Sequence, residues 1–295
     1  MTKILFIGLG TMGYPMAGHL KSQGHDIQVY NRTVEKSEKW SREFNGRFIT
    51  DLILHVKNYD IICACVGNDD DVRELVASER GILKNMKHNS IFIDHTTASA
   101  SIEREMFSLA KKIKVGYLDA PVSGGEKGAH DGKLTIMCGG EKDVYEKAKI
   151  VMDAYSQECT FMGSIGNGQL TKMANQICIA GILQGLSEAI NFAQNSGIDT
   201  DKMLKVISKG AAGSWQLENR GKTMAEDSFD FGFAVDWMRK DLKICLEEAE
   251  TNGSSLPLVS LVDQFYKDIQ LMNGGRWDTS SLIRRLNKYH STNQS

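Results

Sequence analysis

The apolar run Lys3–Ile7 stops at Gly8-Leu9-Gly10-Thr11-Met12-Gly13, and a second β-rich run, Ile27–Asn31, ends 23 positions after Gly8. A glycine triplet between a strand and a helix that starts inside it leaves little choice of fold. Gly8 permits the tight turn, Gly10 removes the side chain where a ligand would approach the backbone, and Gly13 lets the helix pack closely on the strand. Free N–H groups and the dipole at the helix start favour an anion there. The spacing predicts that Gly8, Leu9, Gly10, Thr11, Met12 and Gly13 cradle the pyrophosphate of a dinucleotide.

The alternation continues beyond this point. Asp60–Val66, Ser90–Asp94, Val115–Asp119 and Leu134–Cys138 read as further strands, and Met12–Gln23, Val34–Phe44, Asp69–Ala77, Ile102–Lys112 and Val144–Tyr155 have helical periodicity. Strand and helix in turn predict an α/β unit, a doubly wound and mostly parallel sheet, over residues 1–163. After Gly163 the pattern changes. Gly168–Asn195 holds no proline and is apolar or small on nearly every face, so a long helix is expected, buried in a core or in an oligomer interface. Asp201–Lys209, Phe233–Thr251 and Leu256–Asn273 are also helical in pattern. Residues 164–295 are therefore read as an all-α domain joined to the first by the long helix, and 295 residues suit two cores better than one.

Composition narrows the partners. A formal net charge of −2 gives no basic field for nucleic acid or an anionic membrane. No stretch approaches the roughly 20 apolar residues of a membrane span, and Met1-Thr2-Lys3 leads into a run too short for a signal sequence. A cytoplasmic protein is expected. The six cysteines show no paired spacing and read as buried reduced thiols, and the seven scattered histidines suggest no metal site.

At the end of the second strand, where an acidic residue commonly holds a ribose, stand Asn31, Arg32 and Thr33. An uncharged Asn31 does not repel a 2′-phosphate, and Arg32 can pair with one, which favours NADP over NAD. Arg32 as a solvated turn residue is the alternative. Downstream, Asp119-Ala120-Pro121-Val122-Ser123-Gly124-Gly125 follows a strand, and Ser123, Gly124 and Gly125 can direct a hydroxyl and successive N–H groups at a carboxylate, unless the segment is a simple turn. Lys172 and Asn175, three apart, share a face of the long helix. Lys172 is either exposed in the first turn or buried for a task. Burial and a second cation, for which Lys240 beside Asp241 is the candidate, lower a lysine pKa from about 10.4 toward neutrality and suit it to proton exchange with a substrate oxygen.

Taken in order, the glycine triplet, the Asp119–Gly125 segment, Gly168-Gln169-Leu170-Thr171-Lys172-Met173-Ala174-Asn175 and Lys240-Asp241-Leu242 resemble the β-hydroxyacid dehydrogenase family along almost the whole chain. The resemblance implies an N-terminal Rossmann domain and an all-α domain. It implies hydride transfer between NADP or NAD and a short hydroxyacid or semialdehyde acid of the 3-hydroxyisobutyrate, tartronate semialdehyde, glyoxylate or succinic semialdehyde class. Lys172 then corresponds to the catalytic lysine, Asn175 to a residue that orients substrate, and Ser123, Gly124 and Gly125 to the carboxylate loop. Lys240 and Asp241 correspond to a motif near nicotinamide and substrate, and Thr97 and Val66 to positions along the cofactor cleft. Val66-Gly67-Asn68 departs from the Leu-Pro or Met-Leu pair found in many members. A homodimer or homotetramer through the α domain is implied. The rival readings are a silent cofactor-binding interaction protein and an imine reductase.

Overall fold

The computed structural model describes residues 2–286, and the chain divides into two compact units, Met1–Lys172 and Met173–Ser295. The strands are β1 (Lys3–Ile7), β2 (Asp26–Tyr30), β3 (Arg47–Phe48), β4 (Ile61–Ala64), β5 (Ile91–Asp94), β6 (Gly116–Asp119), β7 (Val122–Ser123), β8 (Leu134–Gly140) and β9 (Ser156–Gly163). The helices of the first unit are α1 (Gly13–Ser22), α2 (Val34–Phe44), α3 (Leu52–His55), α4 (Asp69–Ala77), α5 (Ala100–Lys112), α6 (Gly125–His130) and α7 (Lys142–Met152). The long α8 (Asn167–Asn195) starts in the first unit and continues in the second, where α9 (Thr200–Ile207), α10 (Trp215–Ala225), α11 (Val235–Asn252) and α12 (Pro257–Leu271) follow.

One sheet runs β3-β2-β1-β4-β5-β6-β8-β7, with β9 beside β8. From β3 to β6 all neighbours are parallel, the order of a doubly wound nucleotide-binding sheet, and β8 reverses the direction against both β6 and β7. Every residue of β4 and of β5 is buried, as expected where helices cover both faces. Alternate side chains feed two cores. Ile4, Phe6, Val29 and Cys63 pack with Met16 and Leu20 of α1, and Leu5, Ile7, Ile62 and Phe92 pack with Val72 of α4 and Met106 of α5. The second unit closes around Leu183, Ile190, Val235, Leu242, Val262 and Tyr266.

The predicted strands and helices of the first unit are all present, and the differences are instructive. Two-residue strands β3 and β7 are too short to show a period. Edge strand β9 exposes Gln157, Glu158 and Thr160 and so does not alternate cleanly. Helix α10 escapes the pattern because Gly221 and polar residues dilute its stripe, yet Ser214 caps it by accepting from Leu217 N, and Gly221 lies where a Cβ would come 2.9 Å from Leu204. Within the chain α8 buries one face, through Met173, Gln176, Ala180, Leu183, Ser187 and Ile190, and exposes Ala174, Cys178, Ile182, Gly185 and Phe192. Its apolar surround therefore does not mean burial on all sides here, and Cys178 is exposed, contrary to the expectation for the thiols.

Where β5 and β6 end, the first unit buries three carboxyl groups. Asp94 Oδ1 accepts from Thr96 N at 2.8 Å. Asp119 accepts from Gly166 N and Gln169 N, each at 2.8 Å. Glu103, on the covered face of α5, accepts from the Tyr117 hydroxyl and the Gln169 amide, each at 3.0 Å. Burial raises the Asp94 pKa to about 6 and that of Asp119 to about 7, against the lowering pull of their N–H donors. Glu103 is raised well above 4.5 by burial and then by the Asp94 and Asp119 carboxylates. Neighbouring His95 is held neutral, its pKa lowered to about 4 by burial. Its Nδ1 donates to Ala120 O at 2.7 Å, so Nε2 accepts from the Tyr155 hydroxyl at 2.9 Å.

The raised Glu103 pKa fixes a sign. The folded protein keeps a proton that the unfolded chain releases above about pH 4.5, so this group's contribution to stability is lost as pH rises toward its folded value. Glu103→Gln retains an acceptor for Gln169 and offers N–H to the Tyr117 oxygen without a charge to suppress. Thermal unfolding of the two proteins from pH 5 to pH 8 should show the variant gaining on the wild type as pH rises, by about 1 kcal/mol or more at pH 8, a Tm difference of roughly 2–4 °C. A difference independent of pH would contradict a protonated Glu103.

Candidate active site

The glycine turn after β1 is held by backbone bonds on both sides. Gly8 N donates to Tyr30 O and Cys65 N to Ile7 O, each at 2.9 Å. Gly8 has φ +93°, and a Cβ there would meet Cys65 O at 2.2 Å, while one on Gly13 would meet Gly8 O at 2.0 Å. A side chain at either position would break the turn. Gly10 is different, because a Cβ there meets nothing within 4 Å. The turn is thus closed beneath and open above, at the start of α1, whose N-terminus has no side-chain cap. Uncapped N–H groups beside open space suit the oxygens of a pyrophosphate.

Asn31 has a structural task at this turn. Its Oδ1 accepts from Leu9 N at 2.9 Å and its Nδ2 donates to Thr33 O at 3.0 Å, which staples the glycine turn to the end of β2. Arg32, with a side chain 75% exposed, has its guanidinium 3.2 Å from Asp71 in the first turn of α4. Asn68 caps that helix by accepting from Asp71 N at 3.0 Å, so the unusual Val66-Gly67-Asn68 segment ends in an ordinary helix start. Val66 N donates to Thr96 Oγ1 at 3.0 Å, tying the loop after β4 to the loop after β5, where Thr97 is half-buried.

Ser123 lies on β7, opposite Thr135 of β8. Gly124 and Gly125 follow with φ +129° and +63°, conformations that explain both glycines, and α6 starts at Gly125. Lys172 is 8% exposed, one turn into the described course of α8, so it is buried and not an exposed first-turn residue.

In the second unit, Asn175 Nδ2 donates to Gln176 Oε1 at 2.8 Å, and Gln176 Nε2 donates to Asp241 Oδ2 at 2.7 Å. The other oxygen of Asp241 lies 3.1 Å from Lys240 Nζ. Buried Asp241 therefore joins Asn175 and Lys240 through Gln176, and it partly neutralises the ammonium that the sequence offered as a second cation. Gln176, Gln169, Glu103 and Asp71 were not singled out from the sequence. Polar residues inside an apolar helical stripe, such as Glu103 between Ile102 and Met106, were the available signal. Among the described residues no group of three or more His, Cys, Asp or Glu is placed to hold a metal ion, and no helix is long and apolar enough to cross a membrane.

Known proteins resemble this chain along its whole described length. Residues 3–163 match the family model of the NAD-binding domain of 6-phosphogluconate dehydrogenase, and residues 166–286 that of the NAD-binding region of NADP-dependent 3-hydroxyisobutyrate dehydrogenase. The chain is 53% identical over 291 residues to an uncharacterised oxidoreductase of Shewanella frigidimarina, covering 99% of this chain and 100% of that one. It is 32% identical to the 2-hydroxy-3-oxopropionate reductase of Escherichia coli, with 96% and 97% covered. A solved structure of Mycobacterium tuberculosis 3-hydroxyisobutyrate dehydrogenase with L-serine superposes with a TM-score of 0.87 at 26% identity, over 97% of this chain and 99% of that one. On these matches, together with the dinucleotide turn and the long lysine-bearing helix, the chain belongs to the β-hydroxyacid dehydrogenase family.

Proposed function

We propose that the protein interconverts a short β-hydroxyacid and its semialdehyde or oxo acid with NADP, NAD being the weaker cofactor, and that Lys172 is the general acid and base. The observation that carries this reading is a lysine 8% exposed on α8, in a chain whose dinucleotide turn is intact. A buried ammonium is held by partners or kept for a task, and proton exchange with a substrate oxygen is the task proposed here. The substrate class follows the relatives, of which the Escherichia coli protein is named for 2-hydroxy-3-oxopropionate and the Mycobacterium tuberculosis protein for 3-hydroxyisobutyrate.

When bound, the nicotinamide supplies or accepts the hydride at the substrate carbon. In the reductive direction Lys172 donates its proton to the carbonyl oxygen as negative charge builds there, and in the oxidative direction it takes that proton back. Ser123 and the positive-φ glycines behind it bind the substrate carboxylate. Asn175 and Lys240, held in one hydrogen-bonded string by Gln176 and Asp241, orient the polar end of the substrate. Gly8, Gly10 and Gly13 with the uncapped start of α1 receive the pyrophosphate, and Thr33, Val66, Thr97 and Asp241 complete the surroundings of the cofactor, the first three directly and Asp241 through Lys240.

Preference for NADP rests on Arg32. An exposed pair such as Arg32–Asp71 is worth under about 1 kcal/mol, so exchanging it for a doubly charged 2′-phosphate costs little. A homodimer or homotetramer through the α domain is part of the proposal, supported by exposed Phe192 on α8 and by Leu258 and Leu261 on α12. A cytoplasmic setting completes it.

Two measurements test the reading. Lys172→Ala should lower kcat at least ~100-fold with a panel of glyoxylate and the semialdehydes of succinate, tartronate and methylmalonate, while NADPH binding measured by fluorescence stays close to wild type. More than about a tenth of the rate remaining would exclude the acid/base role. Arg32→Ala should raise the KM for NADPH about tenfold or more and leave that for NADH nearly unchanged; equal effects would remove Arg32 from phosphate recognition.

A further inference from the structure

We infer that Gln169 is a positioning residue for the reaction: its side chain clamps the loop that carries Thr97 to the turn of α8 that carries Lys172. The inference rests on the role proposed above for Lys172 and adds to it a residue that touches neither substrate nor cofactor. Gln169 is fully buried. Its Oε1 accepts from Ala98 N at 3.1 Å, and its Nε2 donates to Thr96 O at 2.7 Å and to Glu103 Oε1 at 3.0 Å. An N–H can only donate and a backbone carbonyl can only accept, so these partners fix the orientation of the amide. Thr97 is thus bracketed on both sides by bonds to one side chain. The same residue's backbone N donates to Asp119 at 2.8 Å, which anchors the start of α8 to the end of β6, and Lys172 follows three positions later, one turn along the helix.

No apolar substitute reproduces this arrangement. A leucine fills the volume of Gln169 but leaves Thr96 O, Ala98 N and Glu103 without their partner in a buried place. The loop and the helix turn can then shift independently, and a misplacement of about 1 Å at a reacting group costs on the order of 100-fold in rate. A mere packing role predicts lost stability with a normal turnover in whatever protein is folded.

Glutamate separates the two roles more sharply. In Gln169→Glu the new carboxyl would face Glu103 directly, with Asp119, Asp94 and the Tyr117 hydroxyl behind it, and with Arg104 nearby against Gly166. Protonated, it keeps an acceptor for Ala98 N and one donor for Thr96 O. Ionised, it keeps no donor and meets other acids.

The experiment compares wild type, Gln169→Leu and Gln169→Glu with NADPH and the best semialdehyde of the panel, from pH 5.5 to pH 8.5. Rates are normalised to NADPH-binding sites and taken below each variant's unfolding temperature. Gln169→Leu should lose about 10- to 100-fold in kcat at every pH, with the NADPH dissociation constant within about threefold of wild type. Gln169→Glu should approach wild-type kcat at the acid end and fall toward the leucine variant as pH rises. A folded leucine variant within twofold of wild-type kcat overturns the positioning role. If the leucine variant does not fold, the glutamate variant decides alone, and a kcat that stays well below wild type by the same factor down to pH 5.5 overturns the clamp, because the protonated side chain restores the bonds to Ala98 and Thr96. Lys172→Ala, run alongside, isolates the underlying reading: rapid turnover there refutes Lys172 as acid/base, whatever Gln169 does.

Discussion

The carboxylate of Asp119 takes N–H groups from Gly166 and Gln169, and through this bond the sheet of the first unit determines where α8 begins. The bond demands close approach from both sides. A Cβ on Gly139 would lie 2.3 Å from Asp119 Oδ1, and one on Gly168 would lie 2.4 Å from Met137 O and 2.7 Å from Asp119 Oδ2. Two glycines and one acid thus set the register of a helix of 29 residues, and Lys172 inherits its position from that register. An acid near a helix N-terminus is also electrostatically favoured, which offsets part of the cost of burying it.

Much of this was legible in the sequence because it follows from periodicity and from glycine. Strand β1, the boundaries of α2 and α4, and the parallel order of the sheet rest on local pattern, and the positive φ of Gly8 is what a tight strand-to-helix turn requires. The β7 strand was hidden because two residues carry no period. Its Ser123 was visible as a candidate through the glycines after it, not through its own secondary structure. Helix α8 was placed within one residue at its start and at its end, and its apolar surround divides within the chain into a buried face and an exposed one.

The polar partners were less legible for a physical reason. Gln176 and Asp241 are 65 positions apart, and Gln169 and Thr96 are 73 apart, so nothing in a local window marks them as a pair. A motif draws attention to the residue with evident chemistry, Lys172 or Lys240, while the groups that hold it look ordinary. The same applies at the nucleotide end. Asn31 was read by the charge it lacks, whereas its amide staples the glycine turn, and Arg32, read as a phosphate partner or a solvated turn residue, stands exposed in a weak surface pair with Asp71.

Three buried acids in one region cannot all be ionised, because each desolvated charge raises the cost of the next. Hydrogen-bond donors decide which of them holds a proton. Asp94 and Asp119 each accept from backbone N–H groups, which stabilise a carboxylate, and Asp119 also has the start of α8 beside it. Glu103 accepts only from the Tyr117 hydroxyl and the Gln169 amide, and it feels the other two acids, so it holds its proton most firmly of the three. A neutral Glu103 can sit against Gln169 without repelling anything the amide must hold. The charge is thereby kept at the helix start, where N–H groups meet it, and the proton at the clamp, where the Gln169 side chain needs an uncharged neighbour to lock its orientation.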